Sequence, residues 1–493
     1  MRVPALGVLP LFNDEAVYLL RAARFPAMFI EAGPAGATLP DGKLVQELLL
    51  AALAPLPTDP LVPARLLSLT CGLATALVLA AIGRSLGHPR AGLLAGALYA
   101  LSPLALVHDV LALPDSMLAL ASALVLGASL RFGFRPGVER RDALWLGALL
   151  ALASLIKLSG LLLFVVPVLA TLLLPPGWPE RRRRLALLRS TLIVALACLA
   201  ALAPFHYGGA ERAKLGGEST GRLLVIGRNA IAAGDWLLRY LPGPLLLPPL
   251  ILLATRRPRQ APGTGMPVEP SSPAREPARL VACLLLAGLA IAAAFVLVGL
   301  TVYPRYLLPA WPSLLLATAI AADALWRSAT RPGRLLATGC LALACAWSLG
   351  FAWRFATDPY GAPLAATDRA QYLEKWTAGH NLGRLFADLR AEAAARGGLI
   401  LVNIDQPRLV NLAAQLYLHN TPGIRFVDVD LTHRSAAPRL EALASFDPTL
   451  LLTDAEVARA YALDSRLPAL KLHHRYHHPG GTMEFLVYEQ PQP

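Results

Sequence analysis

Pro63-Ala-Arg-Leu-Leu-Ser-Leu-Thr-Cys-Gly-Leu-Ala-Thr-Ala-Leu-Val-Leu-Ala-Ala-Ile-Gly-Arg84 is apolar over most of its length and stops at an arginine. A run of roughly twenty such residues crosses the hydrocarbon of a bilayer as one helix, and a terminal arginine marks the end kept in the cytoplasm. The pattern repeats along the chain. Further apolar stretches are read at 91–108, 112–130, 142–157, 159–174, 185–204, 239–255, 280–300, 304–325 and 334–352, so about ten spans are expected. Every second loop is basic: Arg84 and Arg90, then Arg131, Arg135, Arg140 and Arg141, then Arg181 to Arg184, then Arg256 to Arg279, then Arg327, Arg331 and Arg334. The opposing loops hold mainly Arg212, Lys214, Arg222, Arg228 and Arg305. The positive-inside rule therefore fixes one orientation. Two stretches, 142–157 and 159–174, meet at Lys157-Leu-Ser159, a turn tight enough for a re-entrant pair.

Composition agrees with a polytopic α-helical membrane protein. Of 493 residues, 56% are hydrophobic and only 16% charged, and the mean hydropathy is +0.52. The net charge of +13 sits in short loops beside apolar spans, so it reads as topology rather than as a nucleic-acid surface. Cys71, Cys198, Cys283, Cys340 and Cys345 all lie in apolar stretches, without disulfide-framework or zinc spacing.

Three regions are expected: 1–62, a first extracytoplasmic loop with an acidic motif; 63–353, a transmembrane domain; and 354–493, a soluble domain placed outside the cytoplasm by parity. In the first, Glu15 to about Phe25 reads as a helix with Val17, Leu20 and Arg24 on one face, either lying along the membrane surface or simply solvated. Residues 256–279, rich in Pro and Arg, read as a cytoplasmic linker. In the last region, strands are predicted at 398–403, 424–429 and 449–452, helices at 407–418 and 455–462, and a closing hairpin from 470–472 and 483–488. Alternating strands and helices make a small α/β layer structure.

The polar residues on the arginine-poor side are the candidates for chemistry. Asp14-Glu15 reads either as a general base acting on a hydroxyl or as the cap of the following helix. Lys43, before the apolar run Leu48 to Leu53, reads as a phosphate ligand or as a snorkelling flank residue. His108-Asp109 and Pro114-Asp115-Ser116 form one sharp turn between spans, where carboxylates beside a bilayer signal function or helix capping. Arg305, in Tyr303-Pro-Arg-Tyr306, stands against the positive-inside gradient and is explained by a phosphate or by an external carboxylate. His473-His-Arg-Tyr-His-His478 is expected at a solvated hairpin tip rather than at a metal. No cofactor or metal ligand is assigned, and a divalent cation is left open.

These residues, taken together, resemble the GT-C glycosyltransferases, near the protein O-mannosyltransferases and the lipid A aminoarabinose transferase of glycosyltransferase family 39. The resemblance rests on Leu9-Pro-Leu-Phe-Asn-Asp14-Glu15-Ala-Val-Tyr18, Asp41-Gly-Lys43, Pro63-Ala-Arg65-Leu-Leu-Ser68, Tyr99-Ala-Leu-Ser-Pro103 and Ala112-Leu-Pro-Asp115-Ser116. It continues through Leu155-Ile-Lys157-Leu-Ser159, Pro304-Arg305-Tyr306-Leu-Leu-Pro309 and Tyr372-Leu-Glu374-Lys-Trp376. It implies an inverting transfer of a sugar from a polyprenyl-phosphate donor to an envelope lipid, glycan or protein, at the outer face of a bacterial plasma membrane. Under it, Asp14 is the catalytic base with Glu15 beside it, Asp115 orients acceptor or base, and Lys43 and Arg305 bind the donor phosphate; His108, Asp109, Tyr303 and Tyr306 support them. Leu44-Val-Gln46, Val110 and Thr377-Ala-Gly-His380-Asn381 depart from the family pattern, and the family's helix before the acidic pair is missing, so an upstream start is expected. The competing readings are a transporter or flippase of lipid-linked glycans and an inactive envelope scaffold.

Overall fold

A computed structural model of the chain describes residues 4–36, 43–135, 137–174, 178–206, 222–241, 243–255, 277–299, 302–327, 331–404, 408–430, 436–445, 447–479 and 483–492. Asp41 and Gly42, most of the loop bearing Arg212 and Lys214, and the linker 256–276 lie outside these residues. The helices are α1 (Asn13–Gly36), α2 (Leu44–Leu53), α3 (Leu61–Ser85), α4 (Pro89–Leu101), α5 (Pro103–His108), α6 (Pro114–Phe134), α7 (Arg140–Ile156), α8 (Val165–Leu173), α9 (Trp178–His206), α10 (Arg222–Tyr240), α11 (Leu247–Ala254), α12 (Pro277–Val298), α13 (Trp311–Arg327) and α14 (Arg331–Thr357). After them come α15 (Leu382–Arg396), β1 (Leu399–Ile404), α16 (Leu409–Leu418), β2 (Ile424–Val429), α17 (Ala436–Ala444), β3 (Thr449–Asp454), α18 (Ala455–Ala460), β4 (Lys471–His477) and β5 (Glu484–Gln490).

Contacts divide the chain into two compact units. Unit 1 comprises 1–4, 28–49 and 63–365; unit 2 comprises 5–27, 50–62 and 366–493. The first sixty residues are shared between the two units, and 354–365 fall with the helices.

Among the described residues of unit 1, six of the ten apolar stretches are helices long and apolar enough to cross a membrane. The other four are helical but shorter or broken. Pro103 divides 91–108 into α4 and α5. An extended Lys157 ends α7, and the chain restarts as the 3-10 turn Leu158–Phe164 before α8. Tyr240 ends α10, so 239–255 is instead the second limb of a pair bent by 92°. Large apolar side chains such as Leu77, Leu93, Trp145, Ile193 and Leu343 are exposed on these helices. That is an outer surface suited to lipid, and the protein is a multi-pass membrane protein.

Small residues and satisfied hydroxyls hold these helices together. On α4, Gly92 and Gly96 press on α3, where a Cβ at either would fall 2.6 Å from the carbonyl oxygen of Ala80 or Ala76. This is close backbone packing of the small-xxx-small kind. The span Pro304–Arg327 is 94% buried, and its polar contacts are made internally. The Trp311 indole donates to Ser102 Oγ at 2.7 Å, Ser122 Oγ donates to the Pro309 carbonyl at 2.6 Å, and Thr318 Oγ1 donates to that of Leu245 at 2.9 Å. One of the loop arginines has a further task. Arg184 is 2% exposed and donates to the carbonyls of Phe132, Gly133 and Arg135, closing the C-terminal end of α6.

Unit 2 is the expected α/β structure, a five-stranded sheet ordered β2-β1-β3-β5-β4 in which β1 pairs in parallel with β2 and β3 while β5 runs antiparallel to β3 and β4. Both faces are covered. Leu385, Leu389, Leu401, Ala413, Leu450 and Val487 form the core with α15 and α16; Val402, Leu440, Leu451, Val457 and Leu486 form the core with α17 and α18. All six positions of β1 and of β3 are buried, which accounts for the consecutive apolar residues at Leu399–Val402 and Leu450–Leu452.

Candidate active site

The acidic motif belongs to unit 2 and is held by its backbone. The Phe12 N–H donates to Glu15 Oε2 at 2.9 Å, the reach of a capping box. Glu15 is fully buried, whereas Asp14 is half-buried. Glu15 thereby bonds the N-terminal end of its own helix. The stretch before the helix is pinned from far along the chain: Asn13 N–H donates to the Thr377 carbonyl at 3.0 Å, Gly379 N–H donates to that of Leu11 at 2.7 Å, and Phe12 bridges Ala378. The Phe12 ring meets Tyr372 edge-on at 4.9 Å. Tyr372 is presented by the π-helical turn Ala370–Glu374. Gly379 is required there, since a Cβ would lie 2.8 Å from the Leu11 carbonyl.

In unit 1 the charged residues gather around Asp115, which is 1% exposed in the first turn of α6 after Pro114. Lys157 Nζ donates to Asp115 Oδ1 at 2.7 Å, and Arg305 Nε stands 4.0 Å from Oδ2. Both cations also rest on aromatic faces. Lys157 lies 4.1 Å from the Tyr306 ring centre, and Arg305 lies 4.8 Å from Tyr303 and 5.8 Å from Tyr306. Phe295 stacks on Tyr306 at 5.6 Å. Lys157 reaches this point because the chain doubles back at Gly160, where a Cβ would fall 2.2 Å from the Ala153 carbonyl. A carboxylate buried among membrane helices is stable only when so paired.

The preceding turn is equally ordered. Ser68 Oγ donates to the Leu113 carbonyl at 3.5 Å and Gln46 Nε2 to that of Ala112 at 3.0 Å. His108 and Asp109 are fully buried. His108 Nδ1 bonds the Leu104 carbonyl at 2.8 Å, and Tyr99 donates to Asp109 Oδ1 at 3.4 Å. Lys43 is 8% exposed at the start of α2.

Set against solved structures, the chain aligns with ArnT from Cupriavidus metallidurans bound to undecaprenyl phosphate at a TM-score of 0.59 and 15% identity, over 99% of this chain and 96% of that one. The fold is GT-C. The apo form of the same protein aligns at 0.55 and 15% identity, over 100% and 97%. A family model described as dolichyl-phosphate-mannose-protein mannosyltransferase matches residues 41–207 of this chain. That segment contains Lys43, Asp109, Asp115 and Lys157 and omits Asp14, Glu15 and Arg305. A sequence search among curated proteins finds no match.

Within this GT-C fold, Asp115, Arg305, Tyr303 and Tyr306 come together as one cluster, and Leu11 to Asn13, just before Asp14-Glu15, meet the segment from Tyr372 to Gly379. Lys157 is the residue that sequence reasoning missed as a site. Its signal was present: a lone lysine between two long apolar stretches is expensive unless it has a partner.

Proposed function

We propose that the protein is a membrane glycosyltransferase that moves a sugar from a polyprenyl-phosphate donor to a hydroxyl of an envelope lipid, glycan or protein. The observation that carries this reading is the Asp115 cluster, where one buried carboxylate is met by two cations, Lys157 and Arg305, backed by two tyrosine rings. Such a cluster has cationic capacity for a phosphate that is charged in the donor and gains charge as it departs. ArnT, with the same fold, has been crystallised with undecaprenyl phosphate, which supports a lipid of that kind here.

In this reading the acceptor oxygen attacks the anomeric carbon as the carbon–oxygen bond to phosphate breaks, so the configuration inverts and polyprenyl phosphate leaves. The acceptor's proton passes to a carboxylate, and Asp14 is the proposed base; Glu15 is occupied in capping its own helix. Lys43 and Arg305 are the proposed phosphate ligands, and Asp115 sets the position of Lys157 and Arg305. No cofactor is invoked. The proposed setting is a bacterial plasma membrane with the chemistry on the outer face.

The test is transfer from radiolabelled polyprenyl-phosphate sugars by the chain in proteoliposomes. Asp14→Asn is expected to lower turnover by about 10²- to 10⁴-fold, the usual contribution of a general base, with donor binding retained. Donor binding without turnover in the unaltered protein would favour a flippase or a scaffold instead.

A further inference from the structure

Adjacent histidines on a strand normally point to opposite faces of the sheet. His473 and His474 do not. On β4, Leu472 faces Tyr488 and His474 faces Val487, so His473 is the extra residue of a β-bulge. The bulge turns the two rings to one side, with centroids 4.1 Å apart. There they meet Glu392 from α15, and one ligating atom from each of the three lies within 4.8 Å of the others.

We infer that Glu392, His473 and His474 form a divalent transition-metal site on the sheet edge of unit 2, with zinc the ion that fits this donor set best. His473 Nε2 is 3.1 Å from Glu392 Oε1, close to the roughly 3.3 Å separating two ligands bound at about 2.0–2.1 Å to a tetrahedral ion. The other ring nitrogen, Nδ1, is 3.4 Å from Glu489 Oε2 on β5. A carboxylate there holds the Nδ1–H tautomer and turns the Nε2 lone pair toward the ion, the usual second partner of a metal-bound histidine. Two His and one Glu leave a fourth position for water. Arg396 bonds both carboxylates, at 2.7 Å to Glu392 and 2.5 Å to Glu489. It fixes their positions, and with two carboxylates against one guanidinium the surroundings still carry a net negative charge. The site opens to solvent, with the His473 side chain 24% and the Glu392 side chain 12% exposed. The bound ion fastens α15 to β4, the outermost strand. The same contacts without an ion describe a histidine held between Glu392 and Glu489, which is the alternative the experiment separates.

The untagged full chain, stripped with chelator and returned to nanodiscs, is titrated calorimetrically with ZnCl₂ and, in parallel, with CoCl₂ while the visible spectrum is recorded. One ion per chain is expected, with tetrahedral cobalt bands, and His473→Ala, His474→Ala and Glu392→Gln are each expected to weaken zinc at least tenfold. His477→Ala, altered on the same strand where His477 pairs with Glu484 at 2.7 Å, is expected to leave affinity unchanged. Absence of binding, or binding indifferent to the three substitutions in variants whose circular dichroism matches the parent, would overturn the site. None of these readouts depends on sugar transfer.

Discussion

Asp115 in unit 1 and Glu392 in unit 2 are both carboxylates met by nitrogen-bearing side chains, yet they live under different rules. Asp115 has a 2% exposed side chain, and its partners arrive from the ends of other helices, Lys157 after α7 and Arg305 before α13. Glu392 is closer to water, and one partner, Arg396, is a single helical turn away. Where solvent is excluded, a charge persists only if its partners are complete, and removing one leaves an orphan. Near water the same geometry is worth little and exchanges partners readily. The membrane cluster is therefore rigid by necessity, whereas the edge cluster is free to take up an ion.

The sharpest way to break this contrast is Lys157→Ala, expected to cost about 3–5 kcal/mol by stranding Asp115. Thermal unfolding in detergent measures it, and turnover should fall with it. Adding Asp115→Asn to Lys157→Met should recover part of the loss, since replacing a buried pair by neutral groups is often close to neutral; a double variant no better than the single would refute the orphan-charge account. Next in size is Gly160→Ala, which drives a methyl into the Ala153 carbonyl and is expected to cost about 1–3 kcal/mol while displacing Lys157. Its signature is a rise in donor KM together with lower thermal stability.

A pH titration then sharpens the contrast from the side of unit 2. Burial, with His380 5.2 Å away, pushes His478 down to about 4 from its ordinary value near 6.5, and burial lowers His380 as well. Because the folded histidine resists its proton, stability is fully present above about pH 6.5, erodes as pH falls toward 4 while the unfolded chain protonates, and levels off below. The loss is on the order of 1–3 kcal/mol. Hydrogen exchange of the β5 amides follows it, since His478 packs edge-on to Phe485 at 4.9 Å; His478→Gln should flatten the curve. The smallest effect is reserved for Arg396→Ala, about 0–1 kcal/mol as expected for a partly solvated pair, read by the same exchange experiment.

Much of the fold was legible because its signals are local. The strands read at 398–403 and 449–452 follow from their own composition and lie within a residue or two of β1 and β3, and α3, α6 and α14 follow from length and hydropathy. What escaped depends on breaks and on distant partners. Pro103 interrupts a stretch that looks continuous, and hydropathy averages over it, whereas the break at Lys157 falls where the sequence placed a turn. Asp115 and Arg305 were each visible as anomalies, but Lys157 looked like the end of an apolar run until Gly160 turned the chain. Glu15 spaced three residues after Phe12 fits a cap, yet the chemistry of an acidic pair drew attention to both members alike. His473-His474 was expected at a solvated hairpin tip because a strand and a turn flank it, and the register shift that brings the two rings to one side leaves no mark in the sequence.

The glycine contact between α3 and α4 bears on biogenesis. These helices are joined by only Leu86-Gly-His88, and their mating surface is complete within that hairpin, with Gly92 and Gly96 against Ala80 and Ala76. A contact so short in sequence forms without waiting for later parts of the chain. Asp115, by contrast, gains its second cation only when Arg305 has been made. The hairpin can therefore serve as the seed on which a nascent chain assembles in the bilayer, and the charged cluster as the late check that assembly is complete.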